Sequence, residues 1–299
     1  MTKVRVGIAK CSSVEDSLKK AVELAGDLDF INQNQSVLLK PNANTADEHP
    51  GSTSPEFLKR SIRLIKQKTN RIIVGEKSMA SLNTISVLKE TGMYDAAINE
   101  GVEVLSFDDV EWKMINHKKL TAWPQGYSVP KILDEIDHYV HLCIAKTHWT
   151  ATFTMALKGV IGLTKNEDRM QLPHGRHNND ELFGAMIAES NLARKPDFIL
   201  MDATKIFVSG GPNSGALKEP GIVISTKDPI ANDIVGLALL KSIGTVPKIQ
   251  DKSVWRQPQI RRAIELNLGV KSPKEMDLRF YGVDLEDKIR EHVDDLILK

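Results

Sequence analysis

The sequence has little of what marks several common classes of protein. Its 299 residues contain two cysteines, Cys11 and Cys143, which lie too far apart to form a CxxC pair, a zinc ribbon or an iron–sulfur loop from this chain alone. Aromatic residues make up 5% of the chain, and the formal net charge is +1. We therefore predict neither a nucleic-acid partner nor an intrinsic iron–sulfur cluster, because a basic stripe interleaved with aromatic side chains is missing as well.

Long hydrophobic segments are also missing. The longest apolar runs, such as Phe198–Met201 and Leu237–Leu240, are far shorter than the roughly 20 residues of a membrane-spanning helix. The first residues alternate apolar and polar side chains, which is typical of a strand and unlike an export signal. We therefore expect a cytoplasmic protein in a reducing compartment, with no membrane partner.

The chain does contain the pattern of a globular α/β protein. With 41% apolar and 26% charged residues, it can form a packed core. Short apolar runs typical of strands alternate with segments of helical spacing that carry capping residues and glycine stops. The predicted strands cover Val4–Ile8, Val37–Leu39, Ile72–Gly75, Val102–Leu105, Tyr139–Ile144, Phe198–Met201 and Gly221–Ser225. This alternation predicts a mostly parallel sheet built from βα units.

The irregular segment 111–130 is the predicted junction between two α/β halves. It contains Trp112, Trp123, Pro124 and Gly126 and shows no clear period. We expect an N-terminal half over residues 1–110 and a C-terminal half over residues 131–299, with a cleft between them.

Polar residues follow several of the predicted strands. In parallel sheets ligands bind where the loops leave the carboxyl ends of the strands. The substrate-binding candidates at these positions are Lys40, Asn42, Glu76 and Asp228, and Asp202 is a catalytic candidate. Each one is also explained by local turn chemistry, and Asp228 by capping the helix that Pro229 begins.

The densest group of such residues lies between Lys146 and His177. Lys146, Thr147 and Lys158 offer ammonium and hydroxyl donors for phosphate or carboxylate oxygens, as anion binding requires. His148 beside such a site suits general acid or base catalysis, with Lys158 as a second catalytic candidate.

Two further histidines leave alternatives open. His174 and His177, spaced HxxH, are candidate ligands for a divalent metal, or ordinary capping or surface histidines. The loop Gly210–Gly215 resembles a phosphate-cradling loop in composition, but it has neither of the spacings that mark a nucleotide site, GxGxxG and GxxxxGK[ST]. We interpret it as a flexible loop that could form a lid.

An ordered set of motifs over nearly the whole chain resembles the domain-of-unknown-function 362 family. The motifs are Val37–Asn42, Ser52–Glu56, Lys146–His148, Thr154–Gly162, Met201–Ala203, Gly211-Pro212 with Gly215, and Asp228–Asp233. The resemblance implies an α/β fold but no substrate or reaction. Members of this family are often joined to ferredoxin-type iron–sulfur modules, and this sequence has no such cysteine run, so only a separate redox partner would fit.

These observations lead to two functional hypotheses. The first is an enzyme that acts on a small carboxylate- or phosphate-bearing molecule, with a histidine as general acid or base and with or without a divalent metal. The second is a non-catalytic protein that binds an anionic ligand or docks a redox subunit. The substrate, the reaction and the oligomeric state are not predictable from the sequence.

Overall fold

A single large sheet runs through the protein. The computed structural model describes residues 2–173 and 179–296. In these two ranges eight strands form the large sheet, and three two-stranded ribbons lie outside it. The strands are β1 Val4–Ala9, β2 Val37–Lys40, β3 Ile72–Glu76, β4 Glu103–Ser106, β5 Trp112–Ile115, β6 Tyr127–Pro130, β7 His138–Ile144, β8 Lys146–His148, β9 Thr152–Thr154, β10 Phe198–Ala203, β11 Ile206–Phe207, β12 Leu217–Lys218, β13 Ile222–Thr226 and β14 Met276–Tyr281.

The connections between strands are mostly helical. The α-helices are α1 Val14–Ala25, α2 Pro55–Lys66, α3 Thr84–Glu90, α4 Met93–Ile98, α5 Ala156–Gly159, α6 Asn166–Arg169, α7 Asp180–Ser190, α8 Pro229–Ile243, α9 Pro247–Gln250, α10 Pro258–Glu265 and α11 Glu286–Asp294. Short 3₁₀ helices cover Lys131–Asp134, Val160–Leu163, Val254–Arg256 and Pro273–Glu275.

Capping side chains and a glycine define the ends of the first helices. Ser13 accepts a hydrogen bond from the Asp16 amide at the start of α1, and Gly26 ends that helix with φ of 100°. Ser54 caps α2, and its oxygen accepts from the Phe57 amide. These contacts satisfy backbone groups that a helix end would otherwise leave without partners.

The sheet has the order β14-β1-β13-β10-β7-β2-β3-β4. The neighbours β10, β7, β2, β3 and β4 are parallel, which confirms the predicted mostly parallel α/β fold. Strand β13 is antiparallel to both β1 and β10. Its carboxyl end therefore lies at the opposite edge of the sheet from those of β2, β3, β7 and β10.

The core lies on both faces of the sheet. Along β2, Leu38 belongs to one buried cluster, while Val37 and Leu39 belong to the other. This alternation follows from the two-residue period of a strand. Helices α1–α4 cover the second face, and α5, α7, α8, α10 and α11 cover the first. The result is a sheet between two layers of helices.

Strands from both predicted halves belong to the same sheet. Strand β1, from residues 1–110, lies between β13 and β14. The predicted irregular segment 111–130 contains β5 and β6, which pair antiparallel, and it buries Trp123 and Tyr127. The division into halves at this segment stays a prediction.

A candidate anion-binding cavity

A cavity of about 690 Å³ lies at the carboxyl edge of the parallel strands. Its walls come from the ends of β2 and β3, from β8 and the residues that follow it, and from the loop 211–214. Residues of both predicted halves therefore line it. The strand ends come together here because β2, β3 and β7 run in the same direction, as the sequence predicted.

A buried ion pair forms part of the wall. Lys40 and Glu76 are each 2% exposed, and their Nζ and Oε2 atoms lie 2.9 Å apart. Glu76 also accepts hydrogen bonds from the backbone N–H groups of Ala43 and Lys77. Burial lowers the pKa of Lys40, and the Glu76 carboxylate opposes that shift. The two charges neutralise each other, because each has its counter-ion next to it inside the protein.

Two glycines allow the chain after β9 to lie against this wall. A Cβ atom at Gly162 would lie 2.5 Å from Lys40 Nζ and 2.6 Å from Glu76 Oε1. At Gly159 it would lie 2.0 Å from Nε2 of the buried His141. Any larger residue would displace these groups, so the packing requires glycine at both positions.

Lys146 lies deep beside the same cavity. It is 2% exposed, and its ammonium donates to the carbonyl oxygens of Pro50 and Gly51 at 2.8 and 2.5 Å. Burial and the nearby Lys158 ammonium lower its pKa to about 7, and Asp47 partly opposes this. Its partners are neutral carbonyls, so among the described residues no salt bridge balances its positive charge.

Lys158 and Arg169 complete the cationic cluster. Burial lowers the pKa of Lys158 to about 8, and the charges of Arg169 and Lys40 contribute to the shift. Arg169 donates to the carbonyl oxygens of Thr164, Ser78 and Lys77. Burial lowers its pKa to about 10.

The charges around the cavity do not balance. Five cationic side chains of the described ranges line it, together with the single carboxylate of Glu76. Glu76 pairs with Lys40, and Lys77 pairs with Asp108 behind the wall. Three cations, on Lys146, Lys158 and Arg169, have no carboxylate within salt-bridge distance in residues 2–173 and 179–296. Such a cluster attracts an anion.

His148 lies in the wall of the cavity, on the β8–β9 ribbon. Its Nδ1 accepts hydrogen bonds from the backbone N–H groups of Thr150 and Ala151, both at 3.2 Å. The neutral ring therefore carries its proton on Nε2, the form that can donate a proton from that atom. After β7 the chain forms this ribbon first, and α5 follows it.

The structure brings together most of the predicted site residues. Lys40, Asn42, Glu76, Lys146, His148 and Lys158 all line the cavity. Asn42 also supports the following loop, since its Nδ2 donates to the Gly51 carbonyl.

Two predicted residues near this edge do not line the cavity in the described ranges. The Thr147 hydroxyl donates to the Phe207 carbonyl and so joins β8 to β11. Asp202 accepts from the amide and hydroxyl of Thr204, and its Oδ2 lies 3.7 Å from His49 Nε2. Both residues have structural partners.

Asp228 lies at the other edge of the sheet. Because β13 is antiparallel to its neighbours, the residues after it leave at the edge opposite the cavity. Its carboxylate accepts from the amides of Ile230, Ala231 and Val270 and so caps α8. The prediction that it faces the site is thus corrected, and the capping alternative describes its contacts.

The predicted metal ligands His174 and His177 lie outside the described residues. Across residues 2–173 and 179–296, no group of three His, Cys, Asp or Glu side chains is arranged to hold a metal ion. A divalent metal therefore stays a prediction that depends on those two histidines.

Arg169 and Trp149 are among the lining residues that were not predicted from the sequence. Arg169 ends a charged segment that is typical of a solvent-exposed helix. Only the tertiary structure places its side chain in the cationic cluster. Trp149 is an exposed aromatic residue directly after His148, and this exposure is not visible in the sequence. His49, next to Asp202, was missed too, because its His-Pro-Gly setting indicates only a turn.

The motifs around this cavity belong to a known family. The family model described as "Domain of unknown function (DUF362)" matches residues 37–238, about two thirds of the chain. This chain is a member of that family. The matched range includes every described residue of the cavity. Because the DUF362 description names no activity, membership assigns no substrate.

Two comparisons with individual proteins are more distant. The chain is 23% identical over 276 residues to the thylakoid-associated protein sll1697 of Synechocystis sp., a match that covers 89% of this chain and 82% of that protein. Among solved structures it is similar to the lactate racemase apoprotein from Thermoanaerobacterium thermosaccharolyticum, with a TM-score of 0.43 and 15% identity. That match covers 67% of this chain and 50% of the racemase chain, so this DUF362 protein matches half the length of that protein.

The helices of this DUF362 protein give only partial information about its location in the cell. In the part of the chain that the structure describes, no helix combines the length and the apolar character that crossing a membrane requires. The Synechocystis relative is named for its association with thylakoids. The predicted cytoplasmic location therefore stays a prediction.

Proposed function

We propose that this protein is an enzyme that binds a small carboxylate- or phosphate-bearing molecule in the cavity. One observation carries the proposal: Lys146, Lys158 and Arg169 gather at one cavity without carboxylate partners in the described ranges. Keeping such charges out of water is unfavourable unless something compensates for them. A bound anion compensates, and it gains charge-assisted hydrogen bonds from these donors.

The proton-transfer step rests on His148 and Lys158. His148 carries its proton on Nε2 when neutral, and burial lowers the pKa of Lys158 to about 8. A group with the pKa of Lys158 donates or accepts protons efficiently at physiological pH. We assign His148 as the general acid or base and Lys158 as the group that holds the anion and stabilises negative charge as it forms.

Isothermal titration calorimetry with sulfate and with acetate tests the binding step. The native protein should bind at least one of them at low ionic strength. Lys158→Met should weaken that binding at least about tenfold, whereas Lys158→Arg should keep most of it, because it retains the charge. Lys118→Met, at an exposed position away from the cavity, is the matched control. Equal binding by all four proteins would contradict the proposal.

A panel of carboxylate and phosphate metabolites tests the catalytic step. His148→Ala should abolish turnover of any substrate that the native protein converts, with nearly unchanged thermal stability. Binding of panel compounds without turnover would instead favour the alternative, a non-catalytic protein that holds an anionic ligand. A large loss of stability in the variant would assign His148 to structure.

A further inference from the structure

The outer part of the cavity differs from its inner part. Three large apolar side chains that line it are exposed to solvent: Met79 by 39%, Trp149 by 65% and Met170 by 83%. Leu172 and Phe183 continue this apolar lining inward and are buried. Exposed apolar side chains grouped at one opening mark binding surfaces more often than scattered ones do.

The inner end of the same cavity is polar and largely closed to solvent. Lys40 and Lys146 are each 2% exposed there, beside Lys158. The lining therefore combines buried cations with apolar side chains, of which Met79, Trp149 and Met170 are exposed. At about 690 Å³ it has the size of sites that take drug-sized molecules, and it exceeds what a sulfate or an acetate fills.

The apolar side chains at the opening suit a ring. An indole such as that of Trp149 stacks on flat π-systems, and aromatic pairs gain affinity beyond the area they bury. The thioethers of Met79 and Met170 are polarizable and flexible, and they contact aromatic rings favourably. An aliphatic lining of valine or isoleucine would show no such preference.

We infer that the ligand of this cavity is an anion joined to an aromatic body, with the charged group among the inner cations and the ring against Trp149, Met79 and Met170. This inference rests on the proposed anion binding and adds the class of ligand to it. The charged group is a phosphate or a carboxylate, because the same ammonium and guanidinium donors bind both.

Two matched pairs of probes test the inference. Calorimetry compares 1-naphthyl phosphate with inorganic phosphate, and 1-naphthoate with acetate, at low ionic strength. Burial of the ring should make at least one naphthyl anion bind about tenfold or more tightly than its small partner. Whether the two phosphates or the two carboxylates bind more tightly identifies the charged group as phosphate or carboxylate.

Variants locate the gain. The double variant Trp149→Ala with Met170→Ala should remove the advantage of the naphthyl anions and leave the affinity for the small anions unchanged. Lys158→Met should weaken all four. Met114→Ala is the matched control, because Met114 is 57% exposed on β5 and does not line the cavity. It should change nothing.

The unfavourable outcomes separate the inference from the function beneath it. If the small anions bind and the naphthyl anions bind no more tightly, the aromatic ligand is wrong and the anion site stands. A gain that persists in the double variant also overturns the inference, since the ring then lies elsewhere. If none of the four anions binds, the proposed function itself fails.

Discussion

Asp228 and Lys158 are both charged, both lie largely out of solvent, and both were candidates for the site, yet the structure treats them differently. Asp228 accepts three backbone hydrogen bonds at one edge of the sheet. In residues 2–173 and 179–296, the ammonium group of Lys158, at the other edge, has no hydrogen-bond or carboxylate partner. A sequestered charge whose partners all come from the protein is structural, whereas one that lacks partners is available to a ligand.

Breaking the ion pair between Lys40 and Glu76 should have the largest effect on stability. Glu76→Gln removes the counter-ion of buried Lys40 and should lower the free energy of unfolding by about 3 kcal/mol, because a buried charge then lacks its partner. Urea unfolding measures this. Glu103→Gln, at an exposed glutamate on β4, should change stability little. A small effect at Glu76 would remove the structural side of the comparison.

Removing the Asp228 cap, at the opposite edge of the sheet, should have the next largest effect on stability. Asp228→Ala leaves three amide donors without an acceptor and should cost about 2 kcal/mol in urea unfolding. Asp228→Asn should recover at least half of this, since asparagine also caps helices. Neither variant should alter sulfate affinity in the folded protein. Loss of sulfate binding in Asp228→Asn would place this residue in the site after all.

The cations without carboxylate partners should destabilise the folded protein, so removing one of them should raise its stability. Lys158→Met should raise the free energy of unfolding at pH 7 by about 1 kcal/mol, because a desolvated charge is lost. Burial lowers the pKa of Lys158 from 10.5 to about 8, so the unfolded chain binds more protons between these values. The native protein therefore gains stability as the pH rises through this window.

The difference in unfolding free energy between Lys158→Met and the native protein should depend on pH. In urea unfolding at pH 7 and pH 9.5, the advantage of Lys158→Met should shrink at the higher pH. Lys158→Met being less stable than the native protein at pH 7 would mean that the lysine stabilises the fold, contrary to the comparison.

The smallest predicted effect is the pH dependence of anion binding. Sulfate keeps its charge over this range, so a change in its affinity reports on the protein. With pKa values of about 8 and about 7, Lys158 and Lys146 both lose most of their remaining protons between pH 7 and 8.5, and sulfate affinity should fall at least about fourfold. Calorimetry at the two pH values measures this. Lys158→Arg should show a weaker dependence, because arginine stays charged.

Much of the fold was predictable from local patterns. The helix α1 begins after Ser13 and ends at Gly26, and α8 begins after Asp228-Pro229, because caps and glycine stops act through nearby backbone groups. The direction of β13 was not predictable. Strand direction depends on how the chain crosses the sheet, and this decided the position of Asp228.

The site was partly predictable for the same reason. Lys40 and Glu76 end β2 and β3, Lys146 comes shortly after β7, and the topology of parallel sheets brings these strand ends together. That Lys40 and Glu76 neutralise each other, and that Arg169 joins the cluster, depend on contacts between segments distant in the chain.

The sequence by itself determined the α/β class, the ends of the main helices and the edge of the sheet where cations gather, because these follow from short-range periodicity and capping. Only the tertiary structure decided which charges are balanced. Balance depends on the distance between side chains tens of residues apart, as between Lys40 and Glu76, and on the exclusion of water around them. For that reason the chemistry of the cavity follows from the folded structure and not from the sequence alone.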